Sequence, residues 1–198
     1  MAEEEELPPC EWAGEFDDGY PTGEGTMTFP SGDTFAGSYE RIGDTSLRQG
    51  PGKYTFAAGG FYEGEYSDGK KSGEGGVMVF PDGGRYEGAF AADAMEGEGV
   101  YTYPNGDVYS GMYAAGLKEG SGSYFFKASA STYMGDWAAG EFAEGEWILR
   151  DGSTYKGVFA GGQPSGEGTY TWATTGAVQS GTWRPDGVFV GGAIVAGV

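Results

Sequence analysis

Histidine is absent from all 198 residues. That excludes Ser-His-Asp and Cys-His nucleophile arrangements and the usual histidine-containing zinc sites. The single cysteine, Cys10, cannot form an internal disulfide. Positive charge is scarce: 11 basic residues stand against 30 acidic ones, for a net charge of −19. Such a surface repels phosphate backbones and anionic lipid headgroups, which proteins hold with lysine and arginine, so neither nucleic acid nor membrane is an expected partner. Its long-range attraction is toward basic protein segments. No apolar run approaches the ~18 residues that span a bilayer, and no signal peptide is apparent. A soluble protein in a reducing compartment is expected.

Glycine is the abundant residue, 41 of 198, and aromatics make up 16%. Glycine-rich chains are often disordered, but disordered chains are poor in aromatics. Here the two recur together. Tyr62-Glu63-Gly64-Glu65-Tyr66 is followed by Gly73-Glu74-Gly75, an apolar run and Phe80-Pro81-Asp82-Gly83; Tyr86-Glu87-Gly88-Ala89-Phe90, Gly97-Glu98-Gly99 and Tyr101-Thr102-Tyr103-Pro104-Asn105-Gly106 repeat the pattern. Copies open at Trp12, Phe35, Tyr62, Tyr86, Tyr109, Tyr133, Tyr155 and Gln179, spaced by 23, 27, 24, 23, 24, 22 and 24 residues. A fixed period of this size means stacked supersecondary units.

Within a copy the alternation has period two, the signature of strands. Tyr62, Gly64 and Tyr66 share one face, with Glu63 and Glu65 on the other. The second strand carries glycines on the parity of its aromatics, as in Gly97, Gly99, Tyr101 and Tyr103, or Gly166, Gly168, Tyr170 and Trp172; Gly73/Gly75 and Gly120/Gly122 are read the same way. Asp68-Gly69, Asp82-Gly83, Asn105-Gly106 and Asp151-Gly152 supply turns, because Asx-Gly tolerates positive φ. Strand glycines mark close approach, so Gly64, Gly88, Gly111 and the second-strand glycines are each expected to leave room for a ring from a neighbouring strand. A lone hairpin is marginal in water, so the copies must stack edge to edge. The fold class expected is all-β, a single elongated array of stacked antiparallel β-hairpins. An acidic, flexible N-terminal tail spans 1–11, the array 12–183, and a short C-terminal strand with a flexible tail 184–198.

Some copies are irregular. The second has four extra residues within 40–49, the sixth has Ala143 where its first glycine should be, and the eighth is a half-copy ending at Trp183. Val188-Phe189-Val190 can add a short strand, which makes Trp183 and Phe189 a candidate edge contact.

The pattern Tyr-x-Gly-x-aromatic, short loop, Gly-x-Gly-x-aromatic and Asx-Gly turn, sustained from Trp12 to Trp183, resembles the MORN repeat. That family often has histidine before the first glycine of the second strand. This chain has Thr22, Ser72, Glu96, Glu119 and Ser165 there, which removes a polar contact. The resemblance implies a structural and assembly protein, similar to the MORN subunits of radial spoke heads in ciliary and flagellar axonemes. The partners so implied are other axonemal subunits, or a second MORN array. The alternatives are a module of another cytoskeletal complex, or a phosphoinositide or membrane-contact adaptor, which the net charge disfavours.

No catalytic, cofactor or metal site is expected. Glu63/Glu65 and Glu96/Glu98 resemble a glycosidase pair only until their recurrence on the outward parity is seen. Asp17-Asp18-Gly19 lacks the twelve-residue loop of a calcium site. The Gly-Glu-Gly elements do not open a helix, so they are not phosphate loops. What remains is the aromatic face, a candidate groove for a basic, amphipathic or extended segment. It comprises Tyr62, Tyr66, Tyr86, Phe90, Tyr101, Tyr103, Tyr109, Tyr113, Tyr133, Trp137, Tyr155, Phe159, Tyr170 and Trp172.

Overall fold

The computed structural model describes residues 9–197. These residues form sixteen strands and no helix, and the order of strands in the sheet is their order in the chain, each antiparallel to the next. The chain divides into two compact units, 1–95 and 96–198.

The first unit holds β1 (Glu11–Asp17), β2 (Tyr20–Thr28), β3 (Thr34–Ile42), β4 (Thr45–Thr55), β5 (Phe61–Ser67), β6 (Lys70–Val79) and β7 (Arg85–Ala91). β8 (Ala94–Thr102) begins at the boundary. The second unit continues with β9 (Val108–Ala114), β10 (Leu117–Phe126), β11 (Ser131–Ala138), β12 (Glu141–Ile148), β13 (Thr154–Ala160), β14 (Gln163–Thr171), β15 (Val178–Trp183) and β16 (Phe189–Gly191).

Two turn types alternate. Within a copy the turn is tight, with positive φ at both central residues: Asp68 (51°) and Gly69 (78°), or Ala115 (48°) and Gly116 (83°). Such turns match the right-handed twist of paired strands. Between copies the turn is wider. Gly83 N–H donates to Phe80 O at 2.9 Å and Phe80 N–H to Gly84 O at 2.8 Å, and Phe29, Tyr103 and Leu149 repeat this. Asp18-Gly19 and Asp68-Gly69 close copies, whereas Asp82-Gly83, Asn105-Gly106 and Asp151-Gly152 join copies.

The strand glycines serve two purposes, where close approach alone was expected. The first glycine of a second strand has left-handed φ at Gly73 (84°), Gly97 (65°), Gly120 (67°) and Gly166 (63°), and the ladder is irregular beside Gly73, Gly120 and Gly166. No side chain presses on Gly166, so conformation is its reason. The second glycine leaves room for a ring, and so do the opening-strand glycines. A β-carbon on Gly111 would lie 2.6 Å from the Tyr109 phenol oxygen, and one on Gly157 would lie 2.6 Å from that of Tyr155. The ring over Gly64, Gly111 and Gly157 is therefore the opener of the same strand, folded back over its own i+2 glycine. Tyr109 also covers Gly122 from the neighbouring strand.

In the third copy the parity shifts by one. Gly76, which pairs with Gly88, meets the Phe90 and Tyr62 rings, whereas Gly75 is exposed with nothing near it. Met78, not Val77 or Val79, then lies opposite Tyr62 on the aromatic face. The register shift across Gly73 causes this, because one extra residue turns every following side chain to the other face.

The N-terminal tail lies largely outside the described residues, and β1 already begins at Glu11. At the other end Gly191 pairs with Gly181, so β16 closes an eighth hairpin. Beyond it, in the stretch expected to be a flexible tail, Val195 exchanges two 2.8 Å hydrogen bonds with Val178.

Candidate protein-binding surface

The openers build the core. Phe35, Tyr62, Tyr86, Tyr109 and Tyr155 are completely buried. Each packs edge to face on the aromatic four residues later, with 5.3 Å between centroids for both Tyr62–Tyr66 and Tyr109–Tyr113. Within a unit an opener also meets the second aromatic of the next copy: Phe35–Tyr66 at 5.1 Å, Tyr62–Phe90 at 5.0 Å, Tyr109–Trp137 at 5.1 Å. Edge-to-face pairs are favoured by the ring quadrupole and add about 0.5–1.5 kcal/mol each beyond area burial. The hydroxyls of Tyr62, Tyr86 and Tyr109 donate to the carbonyls of Glu65, Ala89 and Met112 at 3.0 Å, three residues on. Burial pushes the Tyr62 and Tyr109 phenols up to about 12.

Most of the face proposed from the sequence is thus consumed by the fold. Tyr62, Tyr66, Tyr86, Phe90, Tyr109, Tyr113, Trp137, Tyr155 and Phe159 are all core. The second-strand rings, by contrast, remain half-exposed. Tyr101 and Tyr103 are 4.5 Å apart, Tyr103 and Tyr124 5.4 Å, Tyr124 and Phe126 4.6 Å, and Tyr170 and Trp172 6.3 Å. In the first unit Tyr54, Phe56 and Phe29 form the equivalent row. Trp183 and Phe189 face each other across the last pair of strands at 5.6 Å and are also half-exposed.

Tyr133 departs from the other openers. Phe142, next to the missing first glycine, enters the core and stacks on Tyr133 at 4.6 Å with the planes 8° apart. Tyr133 is left half-exposed, and its hydroxyl donates to Gly162 O at 3.1 Å instead of its own strand.

Cations lie over the rings, a feature the sequence did not disclose. Arg48, Lys71 and Lys118 occupy one position in their copies, opposite Tyr39, Tyr66 and Tyr113. Arg48 sits 4.9 Å from the Tyr66 ring centre and 5.4 Å from that of Tyr54, and donates to Gly69 O at 2.8 Å. Lys118 sits 4.2 Å from Trp137, and burial holds its ammonium below the ordinary value. The aromatic face therefore carries its own cations. Two grooves open on it in the first unit and share Arg48 and Tyr54: one of about 430 Å³ reaching Phe29, Leu47 and Lys70, another of about 190 Å³ reaching Phe56, Lys71 and Asp93. In the second unit Tyr170, Trp172 and Phe189 line a groove of about 310 Å³.

Carboxylates tie successive copies together. Asp33 accepts the Ala57 N–H and the Tyr54 hydroxyl, both at 2.7 Å, and these hydrogen bonds hold its carboxyl below the ordinary value. Asp107 accepts the Lys127 N–H at 2.8 Å and the Tyr124 hydroxyl at 3.0 Å. Burial opposes its ionisation, but these donors and Asn105 together hold it low. At Glu96 and Glu119, two of the five positions where the chain departs from the family before the first glycine, a polar contact is made, and Gln49 makes it in the second copy. Glu96 accepts the Ala115 N–H, Glu119 the Ala139 N–H and Gln49 the Asp68 N–H, each at 2.9 Å, capping the tight turn of the following copy.

Among the described residues no cluster of three or more potential ligands gathers to hold a metal. Six segments match the MORN repeat family, at 12–34, 46–61, 62–85, 86–108, 109–128 and 155–176. The chain belongs to the MORN repeat family. The family match passes over 129–154, the copy in which Phe142 displaces Tyr133. No curated protein matches this sequence. Two solved structures are similar in fold at TM-scores of 0.45 and 12% identity. One is the TCP domain of Drosophila melanogaster SAS-4 (dCPAP) in complex with a proline-rich motif of Ana2 (dSTIL), covering 78% of this chain and 88% of that one. The other is the TCP10 domain of Danio rerio CPAP in complex with a peptide of Danio rerio STIL, covering 87% and 83%.

Proposed function

We propose that this MORN protein is a non-catalytic assembly subunit of the ciliary or flagellar axoneme, scaffolding other subunits of the radial spoke head. Its MORN repeats support a structural, protein-interaction role. The axonemal part of the proposal rests on the resemblance of a small, acidic, repeat-rich chain to spoke-head MORN subunits. The observation that carries the binding role is the second-strand rings, Tyr54 in the first unit and Tyr124, Tyr170 and Trp172 in the second, left half-exposed while openers such as Tyr62, Tyr109 and Tyr155 are buried. Aromatic rings half in and half out of water are the usual anchors of a protein contact. A partner segment lying across them covers rings without disturbing the core.

The test is a pull-down from detergent-extracted axonemes with the tagged chain and with a Tyr170→Ser/Trp172→Ser variant. Recovery of spoke-head subunits by the wild type, and their loss with the variant, is the expected result. Recovery of no axonemal subunit refutes the location; equal recovery by both chains refutes the ring surface.

A further inference from the structure

A sheet one layer thick has a second face, and in the second unit that face is not the polar one its alternation leads one to expect. The ladder sets Val100 opposite Ser110, Ser110 opposite Ser123, and Ser123 opposite Met134, one row across β8, β9, β10 and β11. Beside it Phe125 faces Val108, and on the other side Met112 faces Glu98. These side chains point away from the ring core. Val100, Met112, Phe125 and Met134 expose 37%, 39%, 41% and 51% of their surface. Two small serines thus form a floor walled by four apolar side chains. In the first unit the same face is built from Glu24, Thr26, Ala36, Lys53, Glu63 and Glu65, which line an open groove. A contiguous apolar patch on one unit, matched by a polar surface on the other, marks an interaction site.

We infer that this patch is a second docking surface, distinct from the half-exposed rings, and that it takes a cationic amphipathic helix of a partner protein. Charge selects the partner. Along the Met112 side the exposed acids Glu98, Asp136 and Glu144 follow one another across the strands. Lys156 lies 3.7 Å from Glu146. A second copy of this chain would bring the same acids against its own, at −19 per molecule, whereas lysines flanking an apolar stripe would meet them. Backbone chemistry selects the helix. The strands here spend their N–H and C=O groups on each other, so an extended segment laid on the face would leave its own groups unpaired, while a helix satisfies them internally. Size agrees: four strand spacings from β8 to β12 span about 19 Å, the length of about 13 helical residues. Methionine walls adapt to apolar side chains of differing shape.

The probe is a fluorescent leucine–lysine peptide about 18 residues long with one apolar face, titrated against the full chain by anisotropy, beside a twin with glutamate for lysine. Binding of the lysine peptide is expected to weaken by about tenfold or more in the variant Met112→Ser/Phe125→Thr/Met134→Thr, to weaken in Glu98→Gln/Asp136→Asn, and to be unchanged in Tyr170→Ser/Trp172→Ser. The glutamate twin should not bind. All the substituted side chains are partly exposed, and unchanged circular dichroism and melting temperature confirm that each variant is folded. Equal affinity for the wild type and the Met112/Phe125/Met134 variant, or loss only in the Tyr170/Trp172 variant, overturns the inference. So does sedimentation showing wild-type self-association abolished by the apolar substitutions, since the occupant is then a second copy.

Discussion

Tyr155 folds back over Gly168 of the neighbouring strand, and a β-carbon placed on Gly168 would overlap its phenol oxygen and ring. Gly168→Val should therefore destabilise the protein by several kcal/mol, through steric overlap with a ring that cannot move in a packed core. Gly122→Val, under Tyr109, should behave alike. Gly75→Ser, at an exposed position with nothing near it, should stay within about 0.5 kcal/mol. Urea unfolding of the three variants decides; equal effects would mean that propensity, not ring contact, fixes these glycines.

Tyr109→Ala should cost about 3–5 kcal/mol, the range for removing a large side chain from a core. Glu98→Gln, on the outward face, should fall within about 0.5 kcal/mol. If the two cost the same in thermal unfolding, the assignment of faces is wrong.

The tight turns at Ala115 and Ala139 hold alanine at φ 48° and 49°. Left-handed φ costs an L-residue with a β-carbon about 1–2 kcal/mol, so Ala115→Gly should raise stability by a sizeable part of that. Glu119→Ala removes the cap on the Ala139 N–H and should lower stability by about 1 kcal/mol. Melting temperatures moving in opposite directions are the expected outcome.

Asp33 and Asp107 have carboxyls held below their ordinary values. A group whose folded pKa is depressed contributes stability that is present above its unfolded value, about 4, and is lost as pH falls through the folded one. Urea midpoints of the wild type and of Asp107→Asn should differ at pH 6 and converge by about pH 2. A constant difference would show that ionisation of Asp107 plays no part.

The tyrosines give the opposite sign. Tyr54, Tyr62 and Tyr109 are pushed up to about 12, by burial first and, for Tyr54, by its hydrogen bond to Asp33 as well. Their stabilisation is complete below the ordinary value of about 10 and is lost as pH rises toward the folded one. Tyrosinate absorbance should then rise in two stages: the accessible rings first, the core rings together with the loss of the β-sheet circular dichroism signal. A single gradual titration with the sheet intact would contradict the burial described.

The repeat, the strand parity and the role of tyrosine as opener were legible because each depends on local spacing. Gly75 against Gly76 was not, since Gly73-Glu74-Gly75-Gly76 offers two registers and only the partner strand selects one. Phe142 was hidden for a similar reason: Glu141-Phe142-Ala143 reads as a defective loop until Tyr133 is seen lying against it. Outside the second strand of the third copy strand parity separates the two faces, yet the sequence does not say which rings the next copy will cover. Tyr62 and Tyr101 look equally suited to hold a partner, and only packing shows that the first is spent on the core. The cations over the rings are not legible in the sequence because Arg48, Lys71 and Lys118 share no local motif and become equivalent only through their cross-strand partners.

Every strand here bonds only to the strands that flank it in the chain. Gene duplication or loss can therefore lengthen or shorten such a protein one copy at a time. An excision from one opener to the next, such as 62–85, hands β4 a new neighbour with the same Tyr-x-Gly face. The number of copies is in this sense a tunable character.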